Sequence, residues 1–238
     1  MNIVISQSML FPWIGMLEQI RLADVFVCYD DVQFSKGGFT NRVQIKTASG
    51  SRWMTIPLTG HKLGMKINEV NIKPKETWKN THLNLLLQAF EGAKYKDDAL
   101  DLVNEVYSSE HENIGLLSHQ SMMVLADYYG LRTNTKFIDV ESLNIDGKSS
   151  NRVLDVVKNV GGDTYITGHG ARRYLDHDLF ENANIAVEYM DYKSVPYNQL
   201  YGEFTPYVSG LDLVANCGPG GILHICSETV NWREFKDE

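Results

Sequence analysis

The sequence predicts an α/β fold, a mainly parallel three-layer sheet with a helical insertion or cap, and three observations carry that expectation. The chain opens on a β-loop-α-β unit: the strand Asn2-Ile3-Val4-Ile5, a loop with Gln7 and the turn Phe11-Pro12-Trp13-Ile14-Gly15, a short helix, and the strand Val25-Phe26-Val27-Cys28-Tyr29. Both strands are short continuous apolar runs rather than alternating ones, the pattern of a parallel sheet covered on both faces. Strand-like and helix-like segments alternate again beyond residue 136, as repeated βα units do.

The elements follow in order. The second strand runs into Asp30-Asp31-Val32-Gln33-Phe34. Ligands of such sheets sit outside the carboxyl ends of the strands, which puts Gln7, Asp30 and Asp31 at one rim. Residues 35–73 are rich in Gly and Thr, with short alternating segments such as Arg52-Trp53-Met54-Thr55-Ile56-Pro57, and read as a β-excursion of loops and small strands. Trp78, His82, Leu85, Leu86 and Ala89 then recur at helical spacing, as do Leu100, Val103 and Val106-Tyr107, and finally Leu116-Leu117 through Tyr128-Tyr129 up to Gly130. These helices form a subdomain, 75–130, of a single domain spanning 1–238. Lys136–Val140, Thr164–Thr167 and Ile185–Tyr189 read as further strands, with a helix containing Val153 and Val157 between the first two.

Composition narrows the class. A chain of 238 residues, 43% hydrophobic and 22% charged, buries a substantial core. A formal net charge of -8 argues against DNA and anionic lipid as nonspecific partners, and leaves room for a local cationic pocket. No charged-then-apolar leader precedes the first strand and no apolar run approaches the roughly 18 residues that span a bilayer, so a soluble, cytoplasmic protein without membrane insertion is expected. Cys28, Cys217 and Cys226 are odd in number and lack CxxC spacing, against a disulfide framework or structural zinc site. Cys28, inside an apolar strand, reads as an inert thiol. The seven histidines show neither HxxxH nor HExxH spacing, and no metal is expected.

Several strand-end loops carry polar groups that packing does not require. Gly147-Lys148-Ser149-Ser150 precedes a helix; its hydroxyls cap that helix, or its amides and Lys148 hold an anion. Gly168-His169-Gly170-Ala171-Arg172-Arg173-Tyr174 directly follows a strand, where the glycines allow close ligand approach and the guanidinium groups suit phosphate or carboxylate. His169 is a candidate acid-base group or phosphate contact. Asp30 and Asp31 diverge if the strand continues, so one faces the rim to bind an amine or act as base while the other caps the turn. Tyr197 and Gln199 suit stacking and hydrogen bonding to a sugar or base, and Asp212 and Asn216 share a helical face. Asn41-Arg42 gains meaning as an anion or amide clamp only in company.

These residues together resemble the WbqC-like protein family. Gln7, Phe11-Pro12-Trp13-Ile14-Gly15, Asp24-Val25-Phe26-Val27, Asp30-Asp31-Val32-Gln33-Phe34 and Asn41-Arg42 are similar to its amino-terminal signature. Thr164-Tyr165-Ile166-Thr167-Gly168, Tyr174-Leu175-Asp176, Tyr197-Asn198-Gln199 and Leu211-Asp212-Leu213-Val214-Ala215-Asn216-Cys217-Gly218-Pro219 are similar to its carboxyl-terminal one. Family members commonly carry His-Gln-Pro and Tyr-Pro-Gln where this chain has Ser6-Gln7-Ser8 and Tyr197-Asn198-Gln199, so the leading histidine is missing here. The resemblance implies a role in bacterial surface-polysaccharide (O-antigen) biosynthesis, transferring glycine or another amino acid to an amino sugar. On that basis Trp13, Gln33 and Asn41 join the substrate-binding candidates.

Two functions compete. The first is an amide-forming transferase acting on a nucleotide-linked amino sugar, with Asp30, Asp31 and His169 as catalytic candidates. Arg42, Arg172 and Arg173 then hold phosphate or carboxylate. The acyl donor is open: ATP-dependent activation, a thioester or an aminoacyl-tRNA, the last disfavoured by the acidic charge. The second is a noncatalytic nucleotide-sugar or glycan-binding protein of a polysaccharide assembly complex.

Overall fold

The computed structural model of the chain describes residues 1–236. The strands are β1 (Asn2–Ser6), β2 (Val25–Cys28), β3 (Arg42–Thr47), β4 (Gly50–Thr55), β5 (Leu58–Thr59), β6 (Asn71–Ile72), β7 (Lys136–Asp139), β8 (Thr164–Thr167), β9 (Ala186–Asp191) and β10 (Glu228–Asn231). The helices are α1 (Ile14–Leu22), α2 (Lys79–Ala89), α3 (Lys96–Ser108), α4 (Ile114–Tyr128), α5 (Ser149–Asn159), α6 (His177–Asn182) and α7 (Gly210–Cys217). One six-stranded sheet runs β10-β9-β8-β1-β2-β7, and β3-β4 and β5-β6 form two small hairpin sheets within the expected excursion. β1 pairs parallel with β2 and β8, β2 with β7, and β8 with β9; β10 alone is antiparallel, on β9.

Alternation along each strand builds the three layers. Ile3, Val25, Val27 and Tyr165 point to one face and pack with Leu154, Val157 and Phe180 of α5 and α6. Val4, Phe26, Cys28 and Ile166 point to the other, against α1, α4 and α7. Both faces are apolar because both are covered, which is why neither strand alternates in hydropathy. Helices α2 to α4 do not enclose a core of their own: Leu86, Val103 and Leu117 belong to the same buried cluster as Val4 and Phe26.

The structure departs from the sequence reading in a few places. The second strand ends at Cys28, so Asp30 and Asp31 lie in a turn and diverge there rather than by strand alternation. The Arg-containing stretch after β8, to which the sequence reading assigned no element, forms a 3-10 turn over His169–Arg173 and the short α6. β10 was unforeseen because Glu-Thr-Val-Asn is short and polar, and only pairing with β9 makes it a strand. Among the described residues no helix is long and apolar enough to cross a membrane.

Candidate active site at the sheet's switch point

From β1 the chain passes to β2 on one side, while β8 lies on the other. Loops leaving adjacent strands in opposite directions part there and leave a crevice at the carboxyl ends. A cleft of about 910 Å³ occupies this place. β1 contributes Ser6 and Gln7, β2 contributes Tyr29, Asp31 and Gln33, β8 contributes Thr167, Gly168 and Gly170, and the approach to α5 contributes Lys148 and Ser149.

The α5 entrance is open. Gly147 has φ 116° and Ser149 φ 53°, a left-handed path that favours glycine and turns the chain sharply into the helix. Lys148 is the N-cap residue and no side chain caps the first turn. The capping alternative therefore fails: the Ser150 hydroxyl instead accepts from the Asp176 amide at 2.9 Å and reaches the Tyr174 carbonyl. The first-turn amides, the positive end of the helix dipole and Lys148 converge on the cleft wall, the ordinary makings of an anion site.

Asp31 and Asp30 face different spaces. Asp31 lines the cleft and is gripped bidentately by Arg152, with Nη1 donating to Oδ1 at 2.9 Å; both side chains are about nine-tenths buried. The same guanidinium donates to the Ile145 carbonyl at 3.0 Å and stacks 4.9 Å from the Tyr29 ring centre. Asp30 turns away. It accepts from the Ser8 amide at 2.8 Å and the Ser8 hydroxyl at 2.6 Å, and burial raises its carboxyl above the ordinary range despite these bonds. It borders a second cleft of about 720 Å³.

Gly168 and Gly170 both reach the cleft, and their spatial demands differ. A Cβ on Gly168 would come within 3.3 Å of Gln19 Nε2, whereas a Cβ on Gly170 would meet nothing within 4 Å, so the protein itself leaves that space clear. Tyr174, 66% exposed, offers an aromatic face at the rim.

Other candidate residues stand elsewhere. Trp13 packs between Tyr192 and Tyr207, and its ring lies over Gly15, where a Cβ would approach it to 2.2 Å. Asn41 donates to the Ile56 carbonyl at 3.0 Å, and Arg42 lies 4.1 Å over the Trp53 ring. Between the two cleft glycines, His169 points outward: its Nε2–H donates to the Met190 carbonyl at 2.8 Å and its ring rests on Phe235, beside Arg172. Arg173 is exposed on the same 3-10 turn and does not line the cleft. Tyr197, Gln199, Asp212 and Asn216 form a separate buried network: the Tyr197 hydroxyl donates to Asp212 at 2.8 Å, Gln199 Nε2 donates to that hydroxyl at 3.0 Å, and Asn216 donates to Asp212 at 3.2 Å. Lys46 joins it by donating to Gln199 at 3.0 Å. Burial pushes the Asp212 carboxyl up to about 6. Tyr197 is thus buried away from the cleft, and Tyr174 is the tyrosine exposed at its rim.

Sequence reasoning passed over Arg152 and Lys66. The spacing of Arg152 four residues before Val156, on the same face of the helix, was the available signal for the first. Nothing local distinguishes Lys66, brought to the rim when Gln33 and Lys66 form a β-bridge. With Arg152 and Asp31 cancelling, Lys66 and Lys148 face one acid, Asp146, in a chain whose net charge is -8.

Comparison with known proteins agrees with the motifs. An uncharacterized protein of Mycobacterium tuberculosis is 32% identical over 221 residues, covering 91% of this chain and 94% of that protein. No solved structure matches. The family model of the WbqC-like proteins matches residues 7–223, from the cleft residue Gln7 to beyond α7, and the chain belongs to the WbqC-like protein family.

Proposed function

We propose that the chain is a transferase of bacterial surface-polysaccharide biosynthesis that joins an amino acid, glycine first among them, to the amine of a nucleotide-linked amino sugar. The observation that carries this reading is the switch-point cleft, whose wall holds an uncapped helix N-terminus, Lys148 and Asp31 together. A diphosphate suits the α5 amides and Lys148. Tyr174 suits the apolar face of a sugar or base, and Asp31 suits the acceptor amine. The reaction forms a C–N bond and breaks the bond between the acyl carbon and its activating group, a phosphate if ATP supplies the activation or a ribose oxygen if an aminoacyl-tRNA does. The proton lost by the amine passes to a base, and Asp31 can take it once its pairing with Arg152 loosens.

One observation favours the noncatalytic alternative: of Asp30, Asp31 and His169 only Asp31 lines the cleft, and Arg152 holds both its oxygens. Incubating the purified protein with nucleotide-linked amino sugars and glycine, with ATP or with charged tRNA, and weighing the products by mass spectrometry separates the two. A glycine-sized gain that Asp31→Asn abolishes supports the transferase. Ligand-induced thermal stabilisation without product, lost in Gly170→Ala, supports the binding protein. Neither signal across the panel rejects both.

A further inference from the structure

Beyond the main cleft, β2 and β7 end side by side with Cys28 opposite Asp139 in the parallel register, and α4 lays His119 across that end. We propose that Cys28, His119 and Asp139 form a binding site for a divalent transition-metal ion of the zinc class. The Cys28 Sγ, an imidazole nitrogen and a carboxylate oxygen all lie within 4.8 Å of one another. His119 Nδ1 and Asp139 Oδ1 are 3.7 Å apart, too far for a hydrogen bond. Two ligands about 2.0 Å from a tetrahedral zinc sit roughly 3.3 Å apart, so small side-chain rotations close the set. No hydrogen bond among the described residues engages either side chain.

The surroundings suit a cation. The 720 Å³ cleft over His119 and Asp139 is walled also by Asp30 and Glu141, with no lysine or arginine in its lining. Asn68 lines it too, and its Oδ1 is buried without a hydrogen-bond partner, an acceptor available to water on the ion. One sulfur, one nitrogen and one oxygen donor select zinc or cobalt over magnesium or calcium, which take oxygen ligands. Three protein ligands beside an open cleft leave the fourth position to water or a ligand, the arrangement of an exchangeable site rather than a closed structural one. Burial beside two carboxylates keeps the Cys28 thiol protonated on its own; a bound cation reverses that electrostatics. Residues 28, 119 and 139 are too far apart in sequence for spacing rules to reveal the set.

Metal binding at this site is independent of the transferase reading and is measured without turnover. Titrating the reduced, metal-free protein with Co²⁺ should give one equivalent of uptake with thiolate-to-cobalt charge-transfer absorption, displaced by Zn²⁺ and unaffected by Mg²⁺. Cys28→Ser should abolish that absorption, and His119→Ala should weaken zinc beyond the roughly 10–100-fold of outer-shell changes. Cys217→Ser with Cys226→Ser should leave both intact. His119 is partly exposed, so its variant keeps the test valid if Cys28→Ser folds poorly. Absence of the charge-transfer band, or undiminished cobalt and zinc affinity in His119→Ala, overturns the site.

Discussion

Two buried carboxylates carry opposite lessons about charge. Asp212 is 4% exposed and its carboxyl is raised to about 6, first by desolvation, because hydrogen bonds from Tyr197 and Asn216 only partly replace water. Its folded value lies above the ordinary 3.8, so its protonation stabilises the fold below that range, and the stabilisation is lost as pH rises toward 6. Between pH 4 and 7 the wild type should therefore lose about 2 kcal/mol relative to Asp212→Asn, measured as the difference between their urea-unfolding free energies at each pH. Asp31, by contrast, has its charge matched by Arg152. Arg152→Ala should cost about 3 kcal/mol by leaving a buried carboxylate unpaired, and the double variant with Asp31→Ala should recover part of that loss. Additive losses in the double-mutant cycle would mean the pair is not coupled. The Asp212–Asn216 contact was within reach of helical spacing, whereas the Asp31–Arg152 pairing was not legible in the sequence, since the two stand 121 positions apart.

At the scale of the element, α5 trades stability for an open end. Lys148 already has the extended backbone of an N-cap, φ -149° and ψ 161°, but no side-chain oxygen to offer. Lys148→Ser should add about 0.5–1 kcal/mol of stability by capping the first turn while weakening phosphate and nucleotide-sugar affinity, read by thermal unfolding and calorimetry on one sample. Unchanged affinity would remove the anion role from this helix end. The sequence exposed the helix and its polar approach. It did not decide between cap and anion site, because Ser150 is drawn to Tyr174 and Asp176 by tertiary packing. The aromatic turn before α1 shows the converse. Its conspicuous residues serve packing: Trp13 lies over Gly15, and the Ser209 hydroxyl before α7 donates to the Phe11 carbonyl at 2.8 Å.

Across the whole molecule, α1 is tied to the carboxyl-terminal strand through Glu18, which is fully buried and accepts from the Cys226 and Ser227 amides at 2.7 and 2.9 Å and from the Ser227 hydroxyl at 2.9 Å. Glu18→Ala would leave those donors unpaired and should cost about 3 kcal/mol or more. Amide exchange in β10 should accelerate more than in β1; uniform acceleration would argue against a local tie. By itself, the sequence determined the covered parallel strands, the three central helices, the excursion after β2 and the family, because apolar periodicity and contiguous motifs are local properties of a chain. It also placed Gln7, Asp31, Gly168 and Lys148 near strand ends, where the cleft formed. The tertiary structure alone decided that Asp30 and Asp31 face different clefts, that Tyr197 and Asp212 are buried apart from the main one, and that Arg152 and Lys66 reach its wall. Those outcomes depend on which strands become neighbours and which loops part between them, and such long-range choices leave no periodic trace in the residues that make them.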